Sequence, residues 1–183
     1  MKYNPLIHHR RSIRLKGYDY SKAGAYFITI CCEDRIHRFG KVSGDEMILN
    51  QSGTIAYKEW INLAERFPNF ELDVFQIMPN HMHGIIVLSD VTVGATLAVA
   101  QEEDKIKRAT ARVAPTIADI VGAYKSIVSN ACLQLFKSHN KTMGKLWQRN
   151  YYEHIIRDER AYQNISNYII NNPGKWNEDK FHL

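Results

Sequence analysis

Two apolar segments joined by only two residues constrain the fold of this chain most strongly. Residues 70–78 and 81–88 are rich in β-branched and aromatic side chains, which is typical of strands, and Pro79-Asn80 leaves room only for a tight connection. The later segment is apolar on both faces towards its end, which predicts a central strand that is covered on both sides. In the earlier segment apolar and acidic residues alternate, so that one face is predicted to be buried, and the apolar positions are Phe70, Leu72 and Val74.

Strand-like and helix-like patterns alternate along the rest of the chain. Residues 25–32 and 146–156 have the composition of strands, the latter as one or two short pieces, and residues 50–66 have the spacing of an amphipathic helix. A second helix is predicted to begin at Thr116, and a last helix spans about 158–171. This order predicts an α+β fold, a ferredoxin-like (RRM-like) βαββαβ antiparallel sheet with an additional C-terminal helix.

Length and composition fit one folded domain that carries a basic arm. The chain has 183 residues, of which 45% are hydrophobic, and this is enough for a core. We predict an arm over 1–24, a single domain over 25–183 and a flexible loop over about 89–115. The sequence indicates neither a signal peptide nor a membrane span. The three cysteines lack zinc-ligand spacing, which favours buried thiols in a reducing cytoplasm.

Basic residues are concentrated in two tracts that contain almost no acid. The formal net charge is +5. Nine basic residues and a single acid, Asp119, lie between 105 and 152, and five basic residues precede the first acid, Asp19. Such tracts favour binding to the phosphates of a nucleic acid, and the alternative is a solvated face with an unfolded tail. The candidate nucleic-acid-binding residues are Arg10, Arg11, Arg14, Lys16 and Arg149.

His81 and His83 are separated by one residue in the predicted strand 81–88. Because side chains alternate along a strand, both imidazoles should point to one face and Met82 to the other. Two ring nitrogens on one face can bind one divalent cation. With eight histidines in the chain, about 0.3 His-x-His pairs are expected by chance. Taken alone, the pair therefore favours a hydrogen-bonded structural role, and a metal site needs further context.

Tyr168 and Asn172 lie four residues apart on the last predicted helix, and so they share one face. Asp158 is a suitable N-cap for this helix, and Pro173 disfavours helical geometry in the residue before it. We expect the helix to dock through an apolar stripe that leaves Tyr168 half covered with a free hydroxyl. The stripe consists of Tyr162, Ile165 and Ile169. The alternative is that Tyr168 only packs and Asn172 only caps the helix.

Together the two pairs suggest a reaction. A tyrosine hydroxyl can attack a phosphodiester if a cation neutralises the charge that develops on the phosphate oxygens. Two histidines and one asparagine oxygen would supply three ligands and leave positions open for the phosphate. The attack would transfer the phosphate to tyrosine and release a 3′-hydroxyl. Because the phosphodiester energy is kept in the phosphotyrosine bond, rejoining would need no nucleotide cofactor.

Three segments of the chain resemble the REP-associated tyrosine transposases, which are relatives of the insertion-sequence transposases that act on single strands. Segment 11–32 resembles the family's opening segment and first strand. Segment 77–88, IMPNHMHGIIVL, resembles its metal strand with the His-hydrophobic-His motif. Segment 146–173 resembles its closing segment, including the run Tyr-Ile-x-x-Asn-Pro. The matches occur in order and cover nearly the whole chain, although the stretch 93–114 fits the family least well.

This resemblance implies a role for four residues. His81 and His83 match the two histidine ligands, Tyr168 matches the nucleophile, and Asn172 matches the third ligand, which is Gln in the related transposases. The expected metal is Mg²⁺ or Mn²⁺, and the expected partner is single-stranded or hairpin DNA that is cut beside a stem. The resemblance also implies a 5′-phosphotyrosine intermediate, a monomer or homodimer, and a cytoplasmic enzyme associated with the nucleoid when it is bound to DNA.

Two other functions fit the same residues. A ferredoxin-like domain with basic arms can bind a hairpin or a single strand without cutting it. His81 and His83 can also activate water in a metal-dependent hydrolase that forms no tyrosine adduct.

Several other residues of the closing segment and the arm are weaker candidates. Tyr151 and Tyr152 compete with Tyr168 for the role of nucleophile, and His154 is expected to be structural. The remaining aromatic candidates are expected to pack rather than to stack on bases, and they are Tyr18, Tyr20 and Trp147.

Overall fold

The computed structural model of the chain describes residues 23–89 and 115–182. Nearly all of the predicted arm, 1–24, and of the predicted loop, 89–115, lies outside these residues, so both stay predictions. Among the residues that the structure describes, no helix is long and apolar enough to cross a membrane.

The described residues form a four-stranded antiparallel sheet, a two-stranded hairpin and several helices. The strands are β1 (Gly24–Cys31), β2 (Gly40–Ser43), β3 (Glu46–Leu49), β4 (Phe70–Ile77), β5 (His81–Leu88) and β6 (Tyr152–Ile156). The helices are α1 (Gln51–Ile61), α2 (Leu63–Arg66), α3 (Ile117–Ser138) and α4 (Glu159–Ile170), with short 3₁₀ helices at Glu33–Arg35 and Pro173–Glu178. The main sheet has the order β4-β5-β1-β6 with antiparallel neighbours throughout. The predicted antiparallel sheet with helices, and the central place of the histidine strand, are confirmed.

The alternation of side chains along β5 separates the core from a second packed layer. Met82 points into the core, where it belongs to one cluster with Trp60 of α1 and Tyr124 of α3. The Tyr124 hydroxyl donates to the carbonyl of Ala56 at 3.1 Å and so links the two helices. His83 points to the opposite side, where α4 packs against β4 and β5. Helices α1 and α3 therefore cover one face of the sheet, and α4 covers the other.

Side-chain caps start the longer helices where the sequence predicts. The Thr116 hydroxyl accepts from the Asp119 backbone N–H at 3.3 Å, and the Asp119 carboxylate accepts from the Thr116 N–H at 2.9 Å, so that both ends of a capping box are made. Asp158 accepts from the N–H of Ala161 at 2.8 Å. This cap fixes the start of α4, which carries Tyr168 on the layer opposite to the core.

Strand β4 contains a bulge between Leu72 and Phe75, and here the predicted alternation is wrong. Phe70 is buried as expected, but Leu72, which precedes the bulge and pairs with Ile86, is 43% exposed on this edge strand. At the bulge, the Asp73 carboxylate accepts from the Tyr162 hydroxyl at 3.0 Å. The bulge therefore provides the contact that docks α4 on the edge strand.

The hairpin of β2 and β3 is an element that the sequence pattern does not indicate. Met47 and Leu49 pack against the core from β3. The same strand contacts the 3₁₀ helix Pro173–Glu178, which follows α4. The hairpin thus supports the C-terminal segment where the chain turns back towards β5.

Gly84 on β5 is predicted to tolerate no side chain. A Cβ at this position would lie 2.7 Å from Cζ2 of Trp60 and 3.3 Å from Cβ of Phe75. Gly84→Ala should therefore lower the free energy of unfolding by about 1–3 kcal/mol, as overpacking does. In α3, a Cβ at Gly122 would meet nothing within 4 Å, so the control Gly122→Ala should raise stability by about 0.5–1 kcal/mol. Urea unfolding measures both, and a Gly84→Ala chain as stable as the native one would contradict the packing.

Candidate active site

His81 and His83 lie side by side on the face of β5 that points away from the core, as the strand pattern predicts. Their Nε2 atoms are 3.0 Å apart. The two residues are only 0% and 1% exposed. Two imidazole lone pairs at this separation repel each other unless a proton or a cation lies between them. The pair is therefore either hydrogen-bonded or bound to a metal.

Asn80 fixes the protonation of His81. The Asn80 amide nitrogen donates to the carbonyls of Arg35 at 3.1 Å and Phe181 at 2.8 Å, which directs its oxygen to the histidine. That oxygen lies 2.8 Å from His81 Nδ1. We assign the ring proton to Nδ1 from this network, so that Nε2 presents a lone pair. Hydrogen bonds of this kind orient the imidazoles of metal sites.

Thr29 plays the corresponding part for His83. It pairs with His83 across β1 and β5, and its hydroxyl lies 2.8 Å from His83 Nδ1. A hydroxyl can donate or accept. When the hydroxyl donates to Nδ1, the ring proton is on Nε2, which can donate to His81. When the hydroxyl accepts from Nδ1–H, Nε2 presents its lone pair to a cation. The ring of Phe27 stacks on His83 with centroids 5.4 Å apart and holds the imidazole plane.

Burial keeps both imidazoles in the form that binds metals. Desolvation lowers the pKa of His81, an effect that the nearby Asp179 carboxylate opposes. Desolvation also lowers the pKa of His83, and the His81 ring adds to this effect. Neutral imidazole is the ligand form of histidine, so the pair is ready to bind a cation at neutral pH.

Tyr168 reaches the histidine pair from α4. Its hydroxyl lies 3.1 Å from His83 Nε2, and the residue is 39% exposed. The half-covered position matches the sequence prediction, but the prediction of a free hydroxyl is wrong, because the group also donates to the Asp179 carboxylate at 3.4 Å. Burial, followed by the charge and the hydrogen bond of Asp179, raises the pKa of Tyr168 to about 12. The phenol is therefore protonated at neutral pH, and it needs a proton acceptor before it can act as a nucleophile.

Asn172 lies just beyond the C-terminal end of α4 and is only 2% exposed. Its amide nitrogen donates to the Asp179 carboxylate at 2.6 Å. Its oxygen is buried and has no hydrogen-bond partner among the described residues. An unpaired buried acceptor costs free energy, so this oxygen fits a site in which a ligand supplies the missing contact.

Asp179 is a site residue that the sequence reasoning missed. One carboxylate oxygen of Asp179 and one ring nitrogen each of His81 and His83 lie within 4.8 Å of one another. The N–H of Phe181 donates to Asp179 at 2.7 Å, and the Phe181 ring lies against His81 with centroids 4.5 Å apart. Asp179 follows the last helix in a stretch without regular period. The one available signal was Pro173, whose break after the helix allows the chain to turn back.

The candidate nucleic-acid-binding residues stay predictions. Four of them, Arg10, Arg11, Arg14 and Lys16, lie outside the described residues. Arg149 is exposed, and its carbonyl accepts from the Lys125 ammonium group at 3.0 Å.

The competing aromatic residues lie apart from the pair or at its margin. Trp147 is 4% exposed and donates from Nε1 to the carbonyl of Lys125 at 3.1 Å, so it packs as predicted. Tyr151 packs against the core. Tyr152 is 48% exposed and meets Phe27 edge-on with centroids 6.2 Å apart. Because Phe27 also stacks on His83, Tyr152 lies at the margin of the histidine pair.

This arrangement places a tyrosine hydroxyl beside donors for a cation. The Tyr168 hydroxyl lies 3.1 Å from His83 Nε2 and 3.4 Å from the Asp179 carboxylate, and the Asn172 amide nitrogen donates to the same carboxylate. Nitrogen and oxygen donors of this kind hold divalent metals. His81, His83 and Asp179 could hold such a cation, which would supply positive charge close to the Tyr168 hydroxyl.

Comparison with known proteins identifies relatives over most of the chain. No family model matches it. A Haemophilus influenzae protein of unassigned function is 41% identical over 184 residues, covering 100% of this chain and 98% of the relative. A second H. influenzae protein, provisionally named a REP-associated tyrosine transposase, is 27% identical over 158 residues, 86% of this chain and 74% of the relative. The solved structure of a REP-associated tyrosine transposase bound to a REP hairpin aligns with a TM-score of 0.53 and 21% identity over 92% of this chain and 77% of its own, which shows a common fold.

Removing the Thr29 hydroxyl should weaken metal binding at the histidine pair. Thr29→Val cannot support either orientation of His83, so the affinity for Mn²⁺ should fall by about 10–100-fold, as it does when supporting groups of metal ligands are lost. Thr29→Ser keeps the hydroxyl and should bind as the native chain does. Calorimetric titration measures all three. Equal affinity in the valine variant would show that the hydroxyl does not position His83.

Proposed function

The chain belongs to the REP-associated tyrosine transposases, and on this premise we propose that it cleaves and rejoins single-stranded DNA beside hairpins through a 5′-phosphotyrosine intermediate. The observation that carries this proposal is the 3.1 Å approach of the Tyr168 hydroxyl to His83 Nε2 within one chain. Tyr168 is 39% exposed, so water could hydrate its hydroxyl, and its approach to a buried imidazole pair supports a role beyond packing.

The proposed metal ligands are His81, His83 and Asn172, and the proposed metal is Mg²⁺ or Mn²⁺. The buried Asn172 oxygen without a partner supports its assignment as a ligand. Asp179 joins this set as a carboxylate that the sequence did not indicate. When bound, the cation would neutralise charge on the non-bridging oxygens of the phosphate that is attacked. Two nitrogen donors favour Mn²⁺, because Mg²⁺ prefers ligation by oxygen alone.

The reaction that we propose exchanges one phosphate ester for another. The Tyr168 oxygen forms a bond to phosphorus while the bond from phosphorus to the 3′ oxygen breaks. The phenol proton leaves to the Asp179 carboxylate, the nearest acceptor apart from His83, and the 3′ oxygen leaves as a hydroxyl after it takes up a proton. Attack by a 3′-hydroxyl on the phosphotyrosine reverses these steps, so that rejoining regenerates Tyr168 without a nucleotide cofactor.

The same proposal covers the fold, the oligomeric state, DNA binding and the location in the cell. The sheet order β4-β5-β1-β6 supports a ferredoxin-like βαββαβ unit, in which α4 would be the additional helix that carries the tyrosine. Since Tyr168 and the histidines meet within one chain, a monomer is sufficient for activity, although a homodimer is compatible with it. The basic arm and Arg149 would bind the hairpin, in a cytoplasmic enzyme that joins the nucleoid on DNA.

Tyr168→Phe should abolish the covalent adduct and leave hairpin binding unchanged, because only the attacking oxygen is lost. The substrate is a hairpin oligonucleotide with an adjoining single strand, labelled at its 3′ end, in Mn²⁺. The labelled fragment should remain attached to protein on a denaturing gel. Tyr151→Phe and Tyr152→Phe are matched controls that should keep the adduct.

Three results would contradict this assignment. An adduct that persists in Tyr168→Phe would exclude this nucleophile. Multiple turnover without an adduct would favour a metal-dependent hydrolase. Intact hairpin binding with no cleavage in either metal would favour a nucleic-acid-binding module that does not cut.

Asn172→Ala should lower the affinity for Mn²⁺ by about tenfold or more, because it removes the buried oxygen that lacks a partner. The neighbouring Asn171 is exposed, so Asn171→Ala is a control that should bind Mn²⁺ normally. Calorimetry measures the affinities, and circular dichroism verifies that both variants fold. If folded Asn172→Ala binds Mn²⁺ as tightly as the native chain, Asn172 is not a ligand.

A further inference from the structure

A cavity of about 390 Å³ lies between the start of α1, the end of α3 and the segment that precedes β2. We call it the α1 cavity. Arg38 and Lys141 line it together with the imidazoles of His37 and His139, and none of the described residues in its wall carries a carboxylate. A wall with two fixed positive charges and no acid is complementary to an anion.

One nitrogen of the Arg38 guanidinium lacks an acceptor. Its backbone is held in place, because its N–H donates to the Pro79 carbonyl at 2.8 Å and its carbonyl accepts from the Asn50 amide at 3.0 Å. Its Nε atom is buried and has no hydrogen-bond partner among the described residues. Across 23–89 and 115–182, neither Arg38 nor Lys141 forms an ion pair. A buried guanidinium nitrogen without an acceptor indicates that a ligand supplies one.

The first turn of α1 adds backbone donors to the same wall. Gln51 and Ser52 line the cavity. The first intrahelical bond runs from the Thr54 N–H to the Asn50 carbonyl, and the Asn50 side chain caps Gly53. The N–H groups of Gln51 and Ser52 therefore have no helix carbonyl to donate to, and they carry the positive end of the helix dipole.

Apolar side chains form another part of the wall. Phe136 lines the cavity, and so does Ile36, which is 45% exposed although it is a large hydrophobic residue. The ring of Phe136 and the aliphatic chain of Ile36 suit the base of a nucleotide, and the two cations beside them suit its phosphate.

The cavity is separated from the histidine pair by one aromatic layer. The His37 ring lies 5.7 Å from the ring of Trp176, and the Trp176 ring lies 6.0 Å from that of His81. We propose that the α1 cavity binds one nucleotide of the DNA strand next to the cleaved position, with its phosphate on Arg38, Lys141 and the first turn of α1. Its base or sugar lies against Ile36 and Phe136. The identification of the ligand as DNA rests on the proposed function.

The first test is the affinity for the hairpin oligonucleotide with its single strand, measured by fluorescence anisotropy on the full chain. Arg38→Gln and Lys141→Gln should each weaken binding by about tenfold, as loss of a charged hydrogen bond does. Each should also lower the slope of log Kd against log salt by about one. Lys137→Gln removes the same charge from α3 outside the cavity and should change affinity less than either. Equal losses in Lys141→Gln and Lys137→Gln would overturn the proposal.

The second test locates the phosphate. Each phosphate of the single strand is replaced in turn by a neutral methylphosphonate. Methylphosphonate at one position should weaken binding to the native chain by about as much as the Lys141→Gln substitution does. The same replacement should not weaken binding to the Lys141→Gln variant any further. Because Lys141 is exposed, this cycle does not depend on whether Arg38→Gln folds. Additive losses at every position would overturn the proposal.

Two further outcomes distinguish a failure of the proposed function from a failure of the proposed nucleotide site. If Tyr168 forms no adduct but the methylphosphonate coupling is present, the proposed function fails and the nucleotide site stands. If the adduct forms normally and the coupling is absent, the proposed function stands and the site fails.

Inorganic phosphate, titrated by calorimetry, should bind far more weakly than the oligonucleotide. Binding of phosphate as tight as that of the oligonucleotide, and lost in Lys141→Gln, would identify a free-phosphate site instead.

Discussion

The site depends on the alternation of side chains along β5. Met82 is buried in the same core cluster as Trp60, and its burial fixes which face of the strand carries His81 and His83. A shift of one residue in the pairing with β1 would exchange the two faces and would bury both imidazoles in the core. The same pairing sets Thr29 opposite His83, so the register that stabilises the sheet also orients the ring. The apolar packing on one side of the strand therefore supports the polar chemistry on the other.

The second layer brings Tyr168, the proposed nucleophile, to this face. Helix α4 begins at the Asp158 cap and docks through Tyr162 on the bulge of β4, and these two contacts place Tyr168 over His83. After α4, the chain turns at Pro173 and returns, so that Asp179 lies between the tyrosine hydroxyl and the Asn172 amide. Burial, followed by the charge and the hydrogen bond of Asp179, raises the pKa of the phenol and keeps it protonated. In the proposed reaction, the same carboxylate accepts the phenol proton.

Local patterns predicted the parts of the fold that local interactions determine. The spacing of His81 and His83 and the caps at Thr116 and Asp158 depend on residues within one turn or one pleat, and the structure agrees with each of them. The exposure of Leu72 and the bulge that follows it were not predicted, because both depend on where the strand lies in the sheet and how it pairs, which no local period records. Asp179 was missed for the same reason, since its neighbours come from distant parts of the chain. The α1 cavity likewise joins segments that are far apart in sequence.

The central claim is that His81, His83 and Asn172 form one metal site that serves Tyr168. Anomalous diffraction from crystals of the full chain grown with Mn²⁺ tests it most directly, because the signal locates the metal without assuming its ligands. The account predicts one peak at about 2.0–2.3 Å from Nε2 of both histidines, near the range for ligated imidazole, with the Asn172 oxygen and the Tyr168 hydroxyl beside it. A peak that contacts only one of the histidines, or no peak at the pair, would contradict it.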